Sequence, residues 1–103
     1  MSNKLVPLSV PNIDGKEWKY VKDCLDTGWV SSVGRYVDEF EQHVADYVNS
    51  EYAVATSSGT TALHIALLVS KIGNNDYVIA PNITFTASVN AIKYVGAEPI
   101  LVD

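Results

Sequence analysis

The sequence predicts an α/β fold with parallel strands. Three short apolar runs, at residues 52–56, 77–80 and 99–102, alternate with two stretches whose apolar residues recur at helical spacing. Such alternation is typical of parallel strands joined by helical crossovers, and a parallel sheet needs cover on both faces. Two helices are too few to cover three such strands. We therefore expect residues 52–103 to be the beginning of a larger α/β domain.

Before that domain, the sequence predicts an extended arm and a first helix. Two prolines within Leu5–Pro11 exclude a helix there, because proline cannot continue one. Asp14 stands three residues before Glu17, which is the spacing of a capping box, and apolar residues follow at helical intervals. The pattern predicts a helix over Gly15–Asp26 that ends at Gly28.

A second helix is predicted after a loop over residues 29–34. Val37 begins a series of apolar residues spaced three and four apart, and this series ends near Asn49. The apolar pattern then changes from helical spacing to short strands. We therefore divide the chain into residues 1–51, an arm with two helices, and residues 52–103, an incomplete α/β domain.

The elements of the second part are predicted by the same reasoning. Gly73 and Gly96 follow its two helical stretches, in the position where glycine commonly ends a helix. In chain order we expect a strand at 52–56, a helix at 60–70, a strand at 77–80, a helix at about 85–95 and a strand at 99–102.

The composition is that of a soluble globular protein, with 48% hydrophobic and 18% charged residues. Seven basic and twelve acidic residues give a net charge of −5, which disfavours nucleic acid or an anionic membrane as a partner. No apolar run is long enough for a membrane span, and no signal peptide is recognisable. The single cysteine, Cys24, lies in a predicted helix, which favours a buried structural thiol in a reducing compartment. We expect a cytoplasmic protein.

The first predicted strand leads into a helix through a hydroxyl-rich turn, Thr56–Thr61. The first N–H groups of such a helix lack partners and the helix dipole adds positive charge, so the turn can hold a phosphate. Gly59 allows a ligand to approach the backbone closely, although the same small residues also serve as a simple helix N-cap. The turn lacks the spacing of a P-loop or of a dinucleotide fingerprint, which points to another phosphorylated cofactor. Its hydroxyl groups belong to Ser57, Ser58, Thr60 and Thr61.

Open parallel sheets bind ligands at the carboxyl ends of their strands, so the turn should lie near Pro81–Thr86 and Asp103. Phe85 would then place an aromatic face beside a phosphate site. That combination suits pyridoxal 5'-phosphate (PLP), a flat phosphorylated ring. An ordinary core position is the alternative for Phe85.

Several motifs follow one another along the chain: Gly28-Trp29-Val30-Ser31-Ser32-x-Gly34, Val37-x-x-Phe40-Glu41, Ala53-Val54-Ala55, Ser58-Gly59-Thr60-x-Ala62-Leu63-His64, Pro81-x-x-Thr84-Phe85-x-Ala87-x-x-Asn90-Ala91, Gly96-Ala97-x-Pro99 and Val102-Asp103. In this order they resemble the opening third of the DegT/DnrJ/EryC1/StrS family of PLP-dependent nucleotide-sugar aminotransferases. The resemblance implies the N-terminal portion of the major domain of an aspartate-aminotransferase-like, fold type I enzyme, preceded by a helical arm.

The resemblance also implies roles for individual residues. The turn would hold the cofactor phosphate, and the aromatic ring after the second strand would stack on the pyridine ring. The loop between the first two helices would border the sugar-nucleotide site, with a helix-capping loop around a packed tryptophan as the alternative. The implied cofactor-binding residues are Ser58, Gly59, Thr60, Thr61 and Phe85, and the implied substrate-binding residues are Trp29, Ser31 and Ser32.

No catalytic residue or metal ligand is assigned within the chain. A transaminase needs a lysine that forms a Schiff base with the cofactor, and in this family that lysine lies beyond residue 103. Lys71 and Lys93 do not match it, and Asp103 matches a strand-end aspartate rather than the partner of the pyridine nitrogen. His64, in the middle of a helix, is interpreted as structural. Residues 1–103 alone are therefore expected to be inactive.

For the intact protein, the resemblance implies transfer of an amino group from glutamate to a 4-keto nucleotide-linked deoxysugar. Features of the arm and first helix resemble the branch that acts on UDP-4-keto-6-deoxy-N-acetylhexosamines. The enzyme would work as a homodimer with its site at the subunit boundary. Two alternatives stay open: a dehydratase of the same family, in which histidine replaces the lysine, and a non-catalytic remnant or binding module.

Overall fold

The structure is a computed structural model that describes residues 5–103. These residues divide into two compact units, of which the first ends at Glu51 and the second comprises Tyr52–Asp103. Residues 1–4, at the start of the predicted division 1–51, lie outside the described residues. The described elements are the helices α1 (Glu17–Thr27), α2 (Arg35–Val48), α3 (Gly59–Val69) and α4 (Thr86–Tyr94), and the strands β1 (Tyr77–Pro81) and β2 (Glu98–Val102).

The first predicted helix is confirmed as α1, but it begins differently from the prediction. Lys16 is the N-cap residue, and its side chain makes no capping hydrogen bond. Glu17 reaches back instead, and its Oε2 accepts a hydrogen bond from the N–H of Gly15 at 2.9 Å. The predicted capping box is therefore wrong, since Lys16 rather than Asp14 is the N-cap residue and Glu17 accepts from Gly15 rather than from Asp14. The helix ends as predicted at Gly28, which adopts the left-handed conformation with φ of 75°.

The second predicted helix is confirmed as α2, which Asn49 ends in the left-handed conformation with φ of 53°. Trp18 and Phe40, on the expected apolar faces of the two helices, are 73% and 59% exposed. Among residues 5–51 only Ala45 is fully buried. The apolar faces of both helices are thus open to solvent in the described part of the chain.

The second unit contains a two-stranded parallel sheet, as the alternation of elements predicted. β1 pairs with β2 in a register that places Ile79 opposite Ile100. The strand predicted at 52–56 is wrong for this structure, because that segment is not assigned to any strand. A strand is defined by its hydrogen bonds with a neighbouring strand. Within residues 5–103 the two strands pair with each other, and residues 52–56 are not part of that sheet.

Helix α4 covers one face of this sheet. Ala80, Ile92 and Ala97 form the buried core, and α3 packs against α4. His64 of α3 meets Tyr94 of α4 edge-on, with ring centroids 5.6 Å apart. That contact is the kind of packing role that the sequence predicts for His64.

The opposite face of the sheet is exposed. Tyr77 and Ile79 alternate with the inward residues of β1 and are 71% and 70% exposed. This agrees with the expectation that the strands need a further layer of cover. None of the helices formed by residues 5–103 is both long and apolar enough to cross a membrane.

The two helices of this unit end in different ways. α3 ends through Lys71, which adopts the left-handed conformation with φ of 60°, so the predicted role of Gly73 is wrong. Gly96 ends α4 as predicted, with φ of 83°. The left-handed conformation of Gly96 favours glycine, and a Cβ atom there would also displace the side chain of Asn74.

Candidate functional site

The hydroxyl-rich turn begins α3, and Ser58 is its N-cap residue. Ser58 has an extended backbone, and its Oγ accepts a hydrogen bond from the N–H of Thr61 at 3.3 Å. Its carbonyl oxygen accepts from the N–H of Ala62 at 3.0 Å and from the hydroxyl of Thr56, also at 3.0 Å. The helix-cap interpretation of the turn is therefore correct for Ser58, as expected for serine at this position.

The cap leaves donors of the turn free. The N–H groups of Gly59 and Thr60 donate to no acceptor within residues 5–103, and the Thr60 hydroxyl makes no hydrogen bond there. A Cβ atom built on Gly59 would meet no atom within 4 Å, so the space outside this backbone is open. An anion can reach both amides at the positive end of the helix dipole.

Three further hydroxyl groups belong to the same turn. The Oγ1 of Thr61 lies 3.1 Å from Ser58 Oγ and 3.4 Å from Ser57 Oγ. A hydroxyl rotates about its C–O bond, so each of these groups can turn its hydrogen towards a ligand when one is present. The first turn of α3 carries no acidic side chain that would repel an anion.

Phe85 lies at the carboxyl end of β1, where it is the N-cap residue of α4. Its side chain is 88% exposed, so the alternative of a core position is wrong for this structure. Its carbonyl oxygen accepts a hydrogen bond from Ser88 N–H at 3.0 Å, which fixes the backbone at the start of the helix. The ring is consequently available for stacking.

The carboxyl ends of the two strands come together as predicted. The N–H of Asn82 donates to the carbonyl oxygen of Val102 at 2.8 Å, and its side-chain amide reaches Asp103 Oδ1 at 3.5 Å. The segment that contains Phe85 and the end of β2 thus share one edge of the sheet. The α3 helix that carries the turn belongs to the same compact unit and packs against α4.

The predicted substrate loop lies in the first unit, between α1 and α2. A cavity of about 300 Å³ is lined by Trp29 and Ser31, whereas Ser32 is exposed and lies outside its lining. The indole of Trp29 packs over Gly34, since a Cβ atom placed there would lie 3.6 Å from Trp29 Cε3. Gly34 has φ of 149° and is the N-cap residue of α2.

A polar cluster that the sequence did not predict forms another wall of this cavity. Asp23 Oδ2 accepts hydrogen bonds from Arg35 Nη2 at 2.9 Å and from the Tyr36 hydroxyl at 3.0 Å. Arg35 Nη2 also lies 2.7 Å from the Tyr36 oxygen, and its guanidinium carbon lies 4.6 Å from the centre of the Tyr36 ring. We call Asp23, Arg35 and Tyr36 the brace.

Contacts within the brace raise the pKa values of two of its members. The hydrogen bond with Tyr36 and the neighbouring carboxylates raise the pKa of Arg35 above its ordinary value. Partial burial, with the hydrogen bond to Asp23, raises the pKa of the Tyr36 phenol. At neutral pH the phenol is therefore a neutral donor to Asp23 Oδ2. The only sequence signal for the brace is a carboxylate in the last turns of one helix and a cation at the start of the next.

The remaining reactive side chains have ordinary surroundings. Lys93 forms an ion pair with Glu98, and Lys71 is exposed at the end of α3. Cys24, predicted to be buried, is only partly buried on α1. Within residues 5–103 no group of three or more His, Cys, Asp or Glu residues is placed to hold a metal ion.

Comparison with known proteins adds to this geometry. A profile of the DegT/DnrJ/EryC1/StrS aminotransferase family matches residues 11–103. Over 98 residues the chain is 49% identical to a GDP-perosamine synthase from Caulobacter vibrioides, a match that covers 95% of this chain and 26% of that relative. The chain spans about a quarter of the length of the curated relatives that it matches.

Solved structures give the same result. A protein from Streptococcus pneumoniae described as a sugar aminotransferase, in its PMP form, is 38% identical with a TM-score of 0.84, over 95% of this chain and 24% of that one. A GDP-4-keto-6-deoxymannose-3-dehydratase is 26% identical with a TM-score of 0.78, over 94% of this chain and 26% of that one. These superpositions confirm the predicted fold class.

Proposed function

The chain belongs to the DegT/DnrJ/EryC1/StrS aminotransferase family, and from this we infer that the intact protein is a PLP-dependent aminotransferase acting on a nucleotide-linked sugar. The observation that carries the proposal is the family match over residues 11–103, which includes the turn at the start of α3. Two free amides and several hydroxyl groups in that turn supply what a phosphate needs. The catalytic lysine is proposed to lie outside residues 1–103.

The residues of the second unit fit the cofactor in their chemistry. The amides of Gly59 and Thr60 and the hydroxyls of Thr60 and Thr61 would hold the phosphate, while Ser58 keeps the helix start in place. Phe85 would support one face of the pyridine ring. When bound, PLP supplies the electron sink that amino transfer requires. These side chains would bind and orient it, and the exposed ring of Phe85 would exclude water from the face that it covers.

The loop of the first unit is proposed to contact the sugar nucleotide. Trp29 offers an apolar ring on which a flat or apolar part of the substrate can pack, and Ser31 and Ser32 offer hydroxyl groups. The cavity lined by Trp29 and Ser31 supports this assignment. Ser32, which lies outside that lining, would contact the substrate at the rim of the loop.

The proposed substrate is a 4-keto nucleotide-linked deoxysugar, and the proposed amino donor is glutamate. The sequence resemblance favoured a UDP-linked N-acetylhexosamine. The 49% identity to a GDP-perosamine synthase supports a GDP-linked sugar instead, so both nucleotides belong in the test. We also propose a cytoplasmic homodimer, supported by the family resemblance and, for the compartment, by the single cysteine.

A second candidate function is sugar dehydration. The similarity to a GDP-4-keto-6-deoxymannose-3-dehydratase supports it, because that protein matches the same part of the chain at 26% identity. A third candidate, a non-catalytic binding module, would keep the phosphate turn and lack a reactive lysine or histidine.

One assay separates the three candidates. The full-length protein is incubated with PLP, glutamate and either GDP- or UDP-linked 4-keto-6-deoxyhexose, and the products are weighed by mass spectrometry. An aminotransferase replaces the keto oxygen by an amino group and releases 2-oxoglutarate in equal amount. A dehydratase of this family would replace a ring hydroxyl group by hydrogen with two electrons from glutamate, and would release 2-oxoglutarate together with ammonia. The absence of any glutamate-dependent product with all sugars tested would contradict both enzymatic proposals.

Borohydride reduction in the same preparation locates the lysine. The proposal expects a labelled peptide outside residues 1–103. Stoichiometric labelling of Lys71 or Lys93 would contradict the assignment of the lysine and leave the rest of the proposal to the product assay.

A further inference from the structure

We propose that the brace, Asp23 with Arg35 and Tyr36, positions the 28–34 loop for binding of the nucleotide sugar. This inference rests on the proposed function, because it assumes that the loop borders the sugar-nucleotide site. Its basis is a set of contacts between the end of α1 and the start of α2. These three side chains are positioning residues and need not touch the substrate.

The contacts within the loop are few and include the packing of Trp29 over Gly34. It begins at Gly28 and ends at Gly34, with φ of 75° and 149°, so both ends lie at residues without a Cβ atom. Within it, the N–H of Val30 donates to the carbonyl oxygen of Gly28 at 3.1 Å. Glycines at both ends allow the loop many paths between the helices, so its conformation depends on what fixes the helix ends.

The brace fixes those ends. Asp23 lies about one turn before the end of α1, and Arg35 and Tyr36 are the first two residues of α2. Asp23 Oδ2 accepts hydrogen bonds from both Arg35 and Tyr36, so two hydrogen bonds connect α1 with the start of α2. The Tyr36 ring also meets Tyr20 of α1 edge-on, with centroids 5.0 Å apart. Polar and aromatic contacts therefore hold the two helices together on either side of the loop.

The brace also shares a cavity with the proposed substrate residues. Asp23, Arg35 and Tyr36 line the same space of about 300 Å³ as Trp29 and Ser31. A change in the distance between the helix ends would therefore move the wall on which the sugar nucleotide is proposed to pack. We expect such a change to alter sugar binding and to leave the reaction with the amino donor unaffected.

The side chains of Asp23 and Arg35 are 41% and 65% exposed, so their pairing contributes little to stability. This makes a selective experiment possible. Asp26, three residues after Asp23 on the same helix, forms an ion pair with Lys22 within α1 and makes no hydrogen bond across the loop. Asp26→Ala is therefore a matched control, because it removes the same chemical group from the same helix.

The experiment measures kcat and KM of the full-length enzyme for the nucleotide sugar and for glutamate. Asp23→Ala should raise the KM for the nucleotide sugar roughly three- to tenfold, the range expected when a charge-assisted contact is lost. The kcat/KM for glutamate should stay within about twofold of the wild type, as should both constants in Asp26→Ala. Asp23→Asn keeps an acceptor oxygen, and its KM should lie between those of Asp23→Ala and the wild type.

Tyr36→Phe provides an independent variant if Asp23→Ala does not fold. It removes one hydroxyl and keeps the ring contact with Tyr20, and it should raise the sugar KM less than Asp23→Ala does. An unchanged sugar KM in these variants, or an equal loss with glutamate, would overturn the inference while the proposed function stands. If the wild type acts on no nucleotide sugar, the proposed function fails and the inference with it.

Discussion

The turn at the start of α3 offers a way to separate cofactor binding from helix capping. Ser58 performs the capping, because its Oγ accepts from the N–H of Thr61. Thr60 does not, since its hydroxyl bonds to no other group within residues 5–103. Ser58→Ala and Thr60→Ala therefore remove the same kind of group from neighbouring positions with different expected consequences. Ser58→Ala is the comparison for stability, because it removes the cap; the Ser58 hydroxyl can also turn towards the phosphate, so the test of binding depends on Thr60→Ala.

The expected magnitudes follow from these contacts. Ser58→Ala removes a cap and should lower the free energy of unfolding by about 1 kcal/mol. Thr60→Ala changes an unbonded group near the surface, and stability should change by less than about 0.5 kcal/mol. If the Thr60 hydroxyl donates to the phosphate, its loss should cost about 1.5–3 kcal/mol of binding, or roughly 10- to 100-fold in Kd.

The assay combines equilibrium binding of pyridoxamine 5'-phosphate with thermal unfolding of the apo-protein, both on the full-length chain. Pyridoxamine phosphate has no aldehyde and forms no bond to a lysine, so its Kd reports the non-covalent contacts alone. Gly59→Val should weaken binding further, because a branched side chain would fill the open space outside the amides. A wild-type Kd for Thr60→Ala together with a lowered melting temperature would refute the phosphate assignment.

Three further predictions concern other parts of the chain. Phe85→Ala should leave the melting temperature of the apo-protein unchanged, because the ring is 88% exposed. It should raise the Kd for pyridoxamine phosphate by about fivefold, because stacking on the ring is lost, and an unchanged Kd would contradict the stacking role. Residues 1–103 expressed alone should unfold without a sharp thermal transition, because residues such as Ile79 on the open face of the sheet are exposed, and a cooperative calorimetric peak would contradict this. The pKa of Tyr36 is raised in the folded protein, so its neutral form stabilises the fold below about pH 10. This contribution is lost as the pH rises through the folded-state pKa. The difference in unfolding free energy between the wild type and Tyr36→Phe should therefore be constant up to about pH 9 and shrink above pH 10.

Much of the fold could be predicted because its signals are local. Helix α2 and its end at Asn49 follow from apolar spacing and one residue that tolerates the left-handed conformation. The parallel pairing of β1 with β2 follows from the helix between them. The prediction failed at residues 52–56, where an apolar run could have formed a strand but its pairing depended on another segment.

The candidate site also has features that the sequence predicted and one that it did not. The serines, threonines and glycine of the α3 turn are adjacent in sequence, so their shared position at a helix start was predictable, and their role in binding the cofactor stays a prediction. Sequence periodicity did not predict the exposure of Phe85, since an aromatic residue after a strand is equally compatible with a core. The exposure depends on which elements lie above the ring.

By itself the sequence determined the helices and the hydroxyl-rich start of α3, because each depends on residues within a few positions of one another. It also determined the parallel order of β1 and β2, because the helix between the two strands requires a crossover connection. Only the tertiary structure decided that Asp23 bonds to Arg35 and Tyr36, twelve and thirteen residues away, and that all three share a cavity with Trp29. The physical reason is the path of the loop. Glycines at both of its ends permit many relative placements of α1 and α2, and the brace is made in the placement that the folded chain adopts.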